Sequence, residues 1–151
     1  MTVLYGHNMK NGTMFKPLHA YEKEDYLKKH QYIYIYTKDK TYIYQIFAAY
    51  TYDDRLILDY FDDFKDVNTW KTYLHSFNEL YSGIVEHDIK LKSDDRILTL
   101  STCTSVPDER FLVQGKLLSD TETAALGENK IQKANTCAAK ASEELVSGNV
   151  N

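Results

Sequence analysis

The chain of 151 residues is long enough for one domain with a buried core and too short for two comfortable ones. Its 43% hydrophobic and 26% charged residues suit a globular domain, and a net charge of −4 gives no reason to expect nucleic acid or an anionic membrane surface as a partner. Two cysteines support neither a disulfide framework nor a zinc site of the usual spacing, and no stretch approaches the roughly 20 apolar residues of a membrane span.

The opening MTVLYGHNMK lacks a basic region followed by an apolar one, so it does not read as a signal peptide, and the chain as given is expected in the cytoplasm. Thr2 to Tyr5 reads as a short strand running into Gly6-His7-Asn8, and Lys10-Asn11-Gly12-Thr13 as a turn. A short helix over Glu22 to Lys29 would carry Tyr26 and Leu27. In QYIYIYT, Tyr32, Tyr34 and Tyr36 alternate with Ile33 and Ile35, the period of a strand with two distinct faces. Lys38-Asp39-Lys40 is a polar turn, and TYIYQIFAAYTY repeats the alternation, which predicts a hairpin. Trp70, Tyr73, Leu74, Phe77, Leu80 and Tyr81 then recur at three- and four-residue steps. That stripe predicts a helix over about 68–82 that packs on the core, capped by Asp66 or Asn68 and ended by Gly83.

After a short segment at Ile89 to Leu91, Asp94-Asp95 turns the chain into a strand from Arg96 that runs to Cys103. The loop TSVPDE leads to a last strand, Arg110 to Leu117. Beyond residue 118 the sequence is polar and Ala-rich, so 119–151 reads as a disordered or frayed-helix tail on a domain spanning 1–118. Many strands with one inserted helix predict a mainly β fold, a barrel or strongly curved sheet.

Cys103 ends one strand and Arg110 begins the next after a short loop, while His7 follows the strand TVLY. Were the strands ending at His7 and Cys103 parallel neighbours, their ends would meet at one rim, where loop-borne sites assemble. An imidazole there would take the thiol proton and later protonate a leaving amine. A guanidinium would supply fixed donors to an oxyanion. Each residue also has a plain reading: an inert core cysteine, a turn histidine among five, and an arginine paired with Asp108 or Glu109. No third, histidine-orienting carboxylate is identifiable, and spacing alone does not choose between these readings.

TLSTC at 99–103, RFLVQGKL at 110–117 and VLYGHNM at 3–9 together resemble the class B sortases, cysteine transpeptidases of Gram-positive surfaces. YQIFAAY and the helix at about 68–82 add to a resemblance covering roughly residues 2–118. It implies a sortase-like β-barrel in which His7, Cys103 and Arg110 are catalytic and Ser101 lines the substrate groove. It implies cleavage of an Asn-Pro-x-Thr-like sorting signal after its Thr, through a thioester on Cys103, and transfer to the amine of a peptidoglycan precursor. It implies no cofactor and no metal. Class B sortases carry a membrane anchor at the extracellular face, a helical region and several strands before the histidine strand. The chain as given is therefore expected to be N-terminally truncated, its barrel incomplete, and prone to self-associate through an exposed strand edge. The rivals are a non-catalytic or decayed sortase fragment and a β binding module that displays Tyr32, Tyr34 and Tyr36 on one exposed face.

Overall fold

A computed structural model of the chain describes residues 1–126, and the second cysteine, Cys137, lies outside them with most of the expected tail. The chain divides into two compact units. One contains Met1–Ile33 and Tyr44–Leu117, and the other Tyr34–Ile43 and the described residues from Leu118.

The fold is mainly β, as expected. Its strands are β1 (Thr2–Gly6), β2 (Tyr32–Tyr36), β3 (Thr41–Asp53), β4 (Gly83–Val85), β5 (Ile97–Cys103) and β6 (Glu109–Leu117). They form a sheet of order β1-β5-β6-β3-β2, with β4 added to β3. Among the described residues the path does not close on itself. β1 pairs with β5 in parallel, with Tyr5 opposite Ser101 and Gly6 opposite Thr102. β5 and β6 are antiparallel, and Cys103 lies opposite Arg110. The register carries the chemistry-bearing residues to one end of the sheet: one step past the last β1–β5 pair, the chain reaches His7 beside Cys103.

Helices occur within the larger unit at two places. Pro17 opens a 3-10 helix over Lys16–Glu22, a start that suits proline because its missing N–H would be unpaired there anyway. The short helix α1 (Glu24–Lys29) follows and buries Leu27. α2 (Val67–Ser76) begins where Asp66 accepts a hydrogen bond from the Thr69 N–H at 2.6 Å. Of the two expected caps, it is Asp66 that serves.

The helix expected over about 68–82 is shorter than its stripe. It ends at Ser76, after which three-residue turns take over, with the Asn78 N–H on the His75 carbonyl at 2.9 Å and that of Glu79 on Ser76 at 3.2 Å. This change of pitch breaks the apolar phase: Phe77 remains buried, whereas Tyr81 is fully exposed. Gly83 does not end the helix but opens β4, where a Cβ would overlap the Tyr50 side chain and backbone on β3. The segment at Ile89 to Leu91 is no strand, although both apolar side chains pack on the core.

The core beneath α2 is aromatic. Tyr73 is completely buried, with ring centroids 4.7 Å from Phe64, 4.9 Å from Phe77 and 5.3 Å from Phe61. Its hydroxyl donates to the Gln114 side-chain oxygen at 3.1 Å, as does that of Tyr50 at 3.2 Å. The Gln114 amide in turn donates to Thr99 on β5 at 2.8 Å. Burial pushes both tyrosine hydroxyls well above their ordinary pKa, so they stay protonated and act as donors. A buried polar chain with every member paired fixes the register of α2, β3, β6 and β5 more sharply than apolar packing does. It thereby braces the strand that ends in Cys103.

In the smaller unit, Thr37 closes the hairpin turn through bonds to the Lys40 backbone, and Lys40 pairs with Asp120 at 2.9 Å. Ser119 and Glu122 form a reciprocal capping box at the start of α3 (Asp120–Ala125). No helix among the described residues is long and apolar enough to cross a membrane.

Candidate functional site

His7, Ser101, Cys103 and Arg110 line one cleft of about 200 Å³, together with Tyr5, Gly6 and Thr102. These are the four residues singled out from sequence. Alternation along paired strands explains why they converge, because Tyr5, Ser101 and Cys103, with Arg110 opposite, fall on the same face of the ladder. The Cys103 thiol is free and its residue exposed, which removes the inert-core reading. Ser101 is buried, 2% exposed, in the floor of the cleft.

Arg110 does not serve as half of a surface ion pair. Among the described residues it contacts no carboxylate, and its guanidinium donates to the Glu109 carbonyl at 3.2 Å. The Glu109 carboxylate instead accepts from the Thr104 hydroxyl at 2.8 Å, which tightens the loop between β5 and β6. Thr104 also takes up the Val106 N–H at 3.1 Å, and Asp108 turns the chain with a φ of 59°. The cation is thus held by a short, self-bonded loop and is left available to a ligand.

The His7 ring has no hydrogen-bond partner among the described residues, and its backbone is secured instead. The Phe15 N–H donates to the His7 carbonyl at 3.0 Å, and Asn8 forms a bridge with Met14. Gly6 allows this arrangement because the Phe15 ring lies where a Cβ would project. The Thr102 hydroxyl donates to the Gly6 carbonyl at 2.8 Å and clamps the two strand ends together.

A second, larger cleft of about 680 Å³ opens beside the same strand end. Asn8, Lys16, His19, Glu22, Glu109 and Phe111 are among the side chains that line it. Nothing in the sequence analysis separates His19 from the other histidines, and the 3-10 helix that carries it is not among the expected elements. The signal that would find it is the Pro17 helix start, which sets His19 and Glu22 one turn apart. No group of three or more His, Cys, Asp or Glu residues among those described could hold a metal ion.

The tyrosine-rich hairpin lacks the feature a binding module needs. Tyr32 and Tyr34 are half-buried, and only Tyr36 of the three is exposed.

Comparison with known proteins converges on one family. The family model described as the sortase domain matches residues 1–118. Sortase B of Listeria monocytogenes is 33% identical over 122 residues, a match covering 78% of this chain and 48% of that protein. The chain thus spans about half the length of the curated relatives it matches. The crystal structure of Clostridium perfringens sortase B superposes with a TM-score of 0.64 at 30% identity, covering 78% of this chain and 64% of that one. A crystal structure of a sortase B complexed with triglycine superposes with a TM-score of 0.63 at 28% identity, over 78% of this chain and 55% of that one.

Proposed function

The chain belongs to the sortase family, in its class B branch, and from that membership we propose that it is a cysteine transpeptidase with Cys103 as nucleophile. The observation that carries the reading is the convergence of Cys103, His7, Arg110 and Ser101 on one small cleft.

His7 takes the Cys103 proton, and the thiolate attacks the carbonyl carbon of a threonyl peptide bond. The oxygen of the tetrahedral intermediate accepts hydrogen bonds from the Arg110 guanidinium. The C–N bond breaks, His7 returns the proton to the leaving amine, and the acyl group remains on Cys103 as a thioester. An acceptor amine then attacks that thioester, His7 takes its proton, and the C–S bond breaks to restore the thiol. Ser101 lines the floor along which the peptide lies. The donor is a sorting-signal peptide of the Asn-Pro-x-Thr type and the acceptor an amine of a peptidoglycan precursor. The relative complexed with triglycine supports an amine-bearing acceptor for this chain as well.

The test is to incubate the full chain with an Asn-Pro-x-Thr peptide and find the acyl adduct by mass spectrometry. The expected result is an adduct on Cys103 that is absent from Cys103→Ala and discharged faster when triglycine is added. A folded chain that never acquires the adduct, or one that acquires it equally as Cys103→Ala, would overturn the reading.

A further inference from the structure

We propose that His19, held by Glu22, is a positioning residue for Cys103 and acts on the carbonyl of that residue from the larger cleft. The proposal rests on the reading of Cys103 as the nucleophile. It concerns a histidine outside the thiol's own cleft.

Cys103 is the last residue of β5, and on the β6 side bonding runs one step further, from the Thr104 N–H to the Glu109 carbonyl at 3.3 Å. The Cys103 carbonyl oxygen accepts from the Asn8 side-chain amide at 2.9 Å and lies 3.1 Å from His19 Nε2. The orientation of this one peptide group matters for three elements. It begins the Thr104–Asp108 loop that returns the chain to Arg110, it belongs to the nucleophile's residue, and Asn8 is the neighbour of His7. A tilt of the group would move the cleft's catalytic candidates relative to one another, and displacements on the order of 1 Å can cost about 100-fold in rate.

His19 is itself fixed on two sides. Its Nδ1 lies 2.6 Å from a Glu22 carboxylate oxygen, which can only accept, so Nδ1 carries a hydrogen. Its ring stacks on Phe111, the neighbour of Arg110, at 5.3 Å between centroids and 24° between planes. With Nδ1 committed to Glu22, Nε2 has two possible roles. As a bare nitrogen it accepts from the Asn8 amide, 3.1 Å away, and faces the Cys103 carbonyl lone pair to lone pair. As a protonated nitrogen it donates to that carbonyl, which then has two donors and a cation behind it. Glu22 and Lys16 on the same 3-10 helix, and Glu109 on β6, are the charged groups around the ring that line the cleft. Asn8 and Phe111 are its neutral neighbours. A hydrogen bond from Nε2 to that carbonyl, with Glu22 holding the other nitrogen, thus fixes the orientation of the nucleophile's residue from outside its own cleft.

Alkylation of Cys103 by iodoacetamide tests this without any peptide substrate, so its result is separate from whether the chain transpeptidates. The experiment uses the full chain carrying Cys137→Ser, so that Cys103 is the only thiol, with rates measured from pH 5 to 9 alongside melting temperatures. His19→Ala should slow alkylation at pH 7 about tenfold and change the shape of the pH–rate curve. Glu22→Gln should slow it about threefold. His19→Gln, whose amide nitrogen can occupy the place of Nε2 and donate to the carbonyl, should stay within about threefold of the parent. Rates and pH profiles unchanged in His19→Ala and Glu22→Gln would overturn the proposal. Equal slowing in His19→Ala and His19→Gln, with matching losses of melting temperature, would also overturn it, because the residue would then be packing alone. Should His19→Ala fail to fold, Glu22→Gln and His19→Gln decide by the same criteria.

Discussion

Two histidines flank the end of β5, and they are built in opposite ways. His7 stands in the smaller cleft with no hydrogen bond to its ring among the described residues, while its backbone is tied by Phe15 and the Asn8–Met14 bridge. His19 stands in the larger cleft with Glu22 on one nitrogen, Asn8 and the Cys103 carbonyl at the other, and Phe111 against its ring. A group that collects a proton and hands it on needs a face that no protein atom occupies. A group that holds another in place needs its own orientation over-determined. The two environments therefore fit the different roles proposed for one residue type at one strand end.

The contrast breaks most sharply at His7. His7→Ala should lower acyl capture by about 100- to 10,000-fold, the usual worth of a positioned acid–base group, while leaving the melting temperature within a degree or two. The readout is the rate of thioester formation followed by mass spectrometry, beside a thermal melt. If His19→Ala abolished capture and His7→Ala left it intact, the assignment of the two histidines would have to be reversed.

Arg110→Ala should come next, with a loss of about 100- to 1,000-fold in acyl capture, the effect of removing an oxyanion donor. Arg110→Lys should recover only part of this, because an ammonium lacks the fixed fork. Equal rates for Lys and Arg would mean that charge alone is needed at that position.

Gly6→Ala probes what carries His7. The added Cβ would overlap the Phe15 ring, so either the ring or the end of β1 must shift, at a cost of about 1–3 kcal/mol. Chemical denaturation should show that loss, and acyl capture should fall with it. Replacing Phe15 by Ala in the same chain should relieve the clash and return part of the activity. If the double variant were no more active than Gly6→Ala, Gly6 would matter for another reason.

The smallest effect lies at the start of α2, which braces β5 through Tyr73, Gln114 and Thr99. The Thr69 N–H bonded to Asp66 holds that carboxyl below its ordinary range. A lowered pKa in the folded state adds stability that is full above the ordinary aspartate value of about 3.9 and is lost as pH falls through the lowered one. The melting temperature of Asp66→Ala should therefore sit slightly below that of the parent at pH 5 to 8, and the gap should narrow below about pH 4. Alkylation of Cys103 should not change. A gap that widened in acid would show that the carboxylate is not what stabilises the helix start.

How much of this was legible in the chain varies with the range of the interaction. The strands at Thr2, Tyr32, Thr41 and Arg110 could be read because alternation is a local property of a pleated backbone. So could the helix start, with Asp66 as one of two candidate caps beside Asn68. The stripe past Ser76 misled because periodicity records which residues are apolar, not where the hydrogen bonding changes from four-residue to three-residue steps. Gly83 misled for a related reason. Glycine serves a helix end and a close strand crossing equally well, and the side chain that demands it, Tyr50, lies far off in sequence.

By itself the sequence determined the residue types of the candidate site: a cysteine at a strand end, an arginine after a short loop, and a histidine after a strand far away in the chain. These follow from local patterning and a motif resemblance, which survive without knowledge of pairing. Only the tertiary structure decided that β1 runs parallel to β5 in the register that sets His7 beside Cys103. It alone decided that Arg110 is free of carboxylates among the described residues, and that His19, held by Glu22, reaches the Cys103 carbonyl from another cleft. The physical reason is that register and hydrogen-bond partners between residues 84 or 95 apart are set by packing across the sheet, which no local window of sequence records.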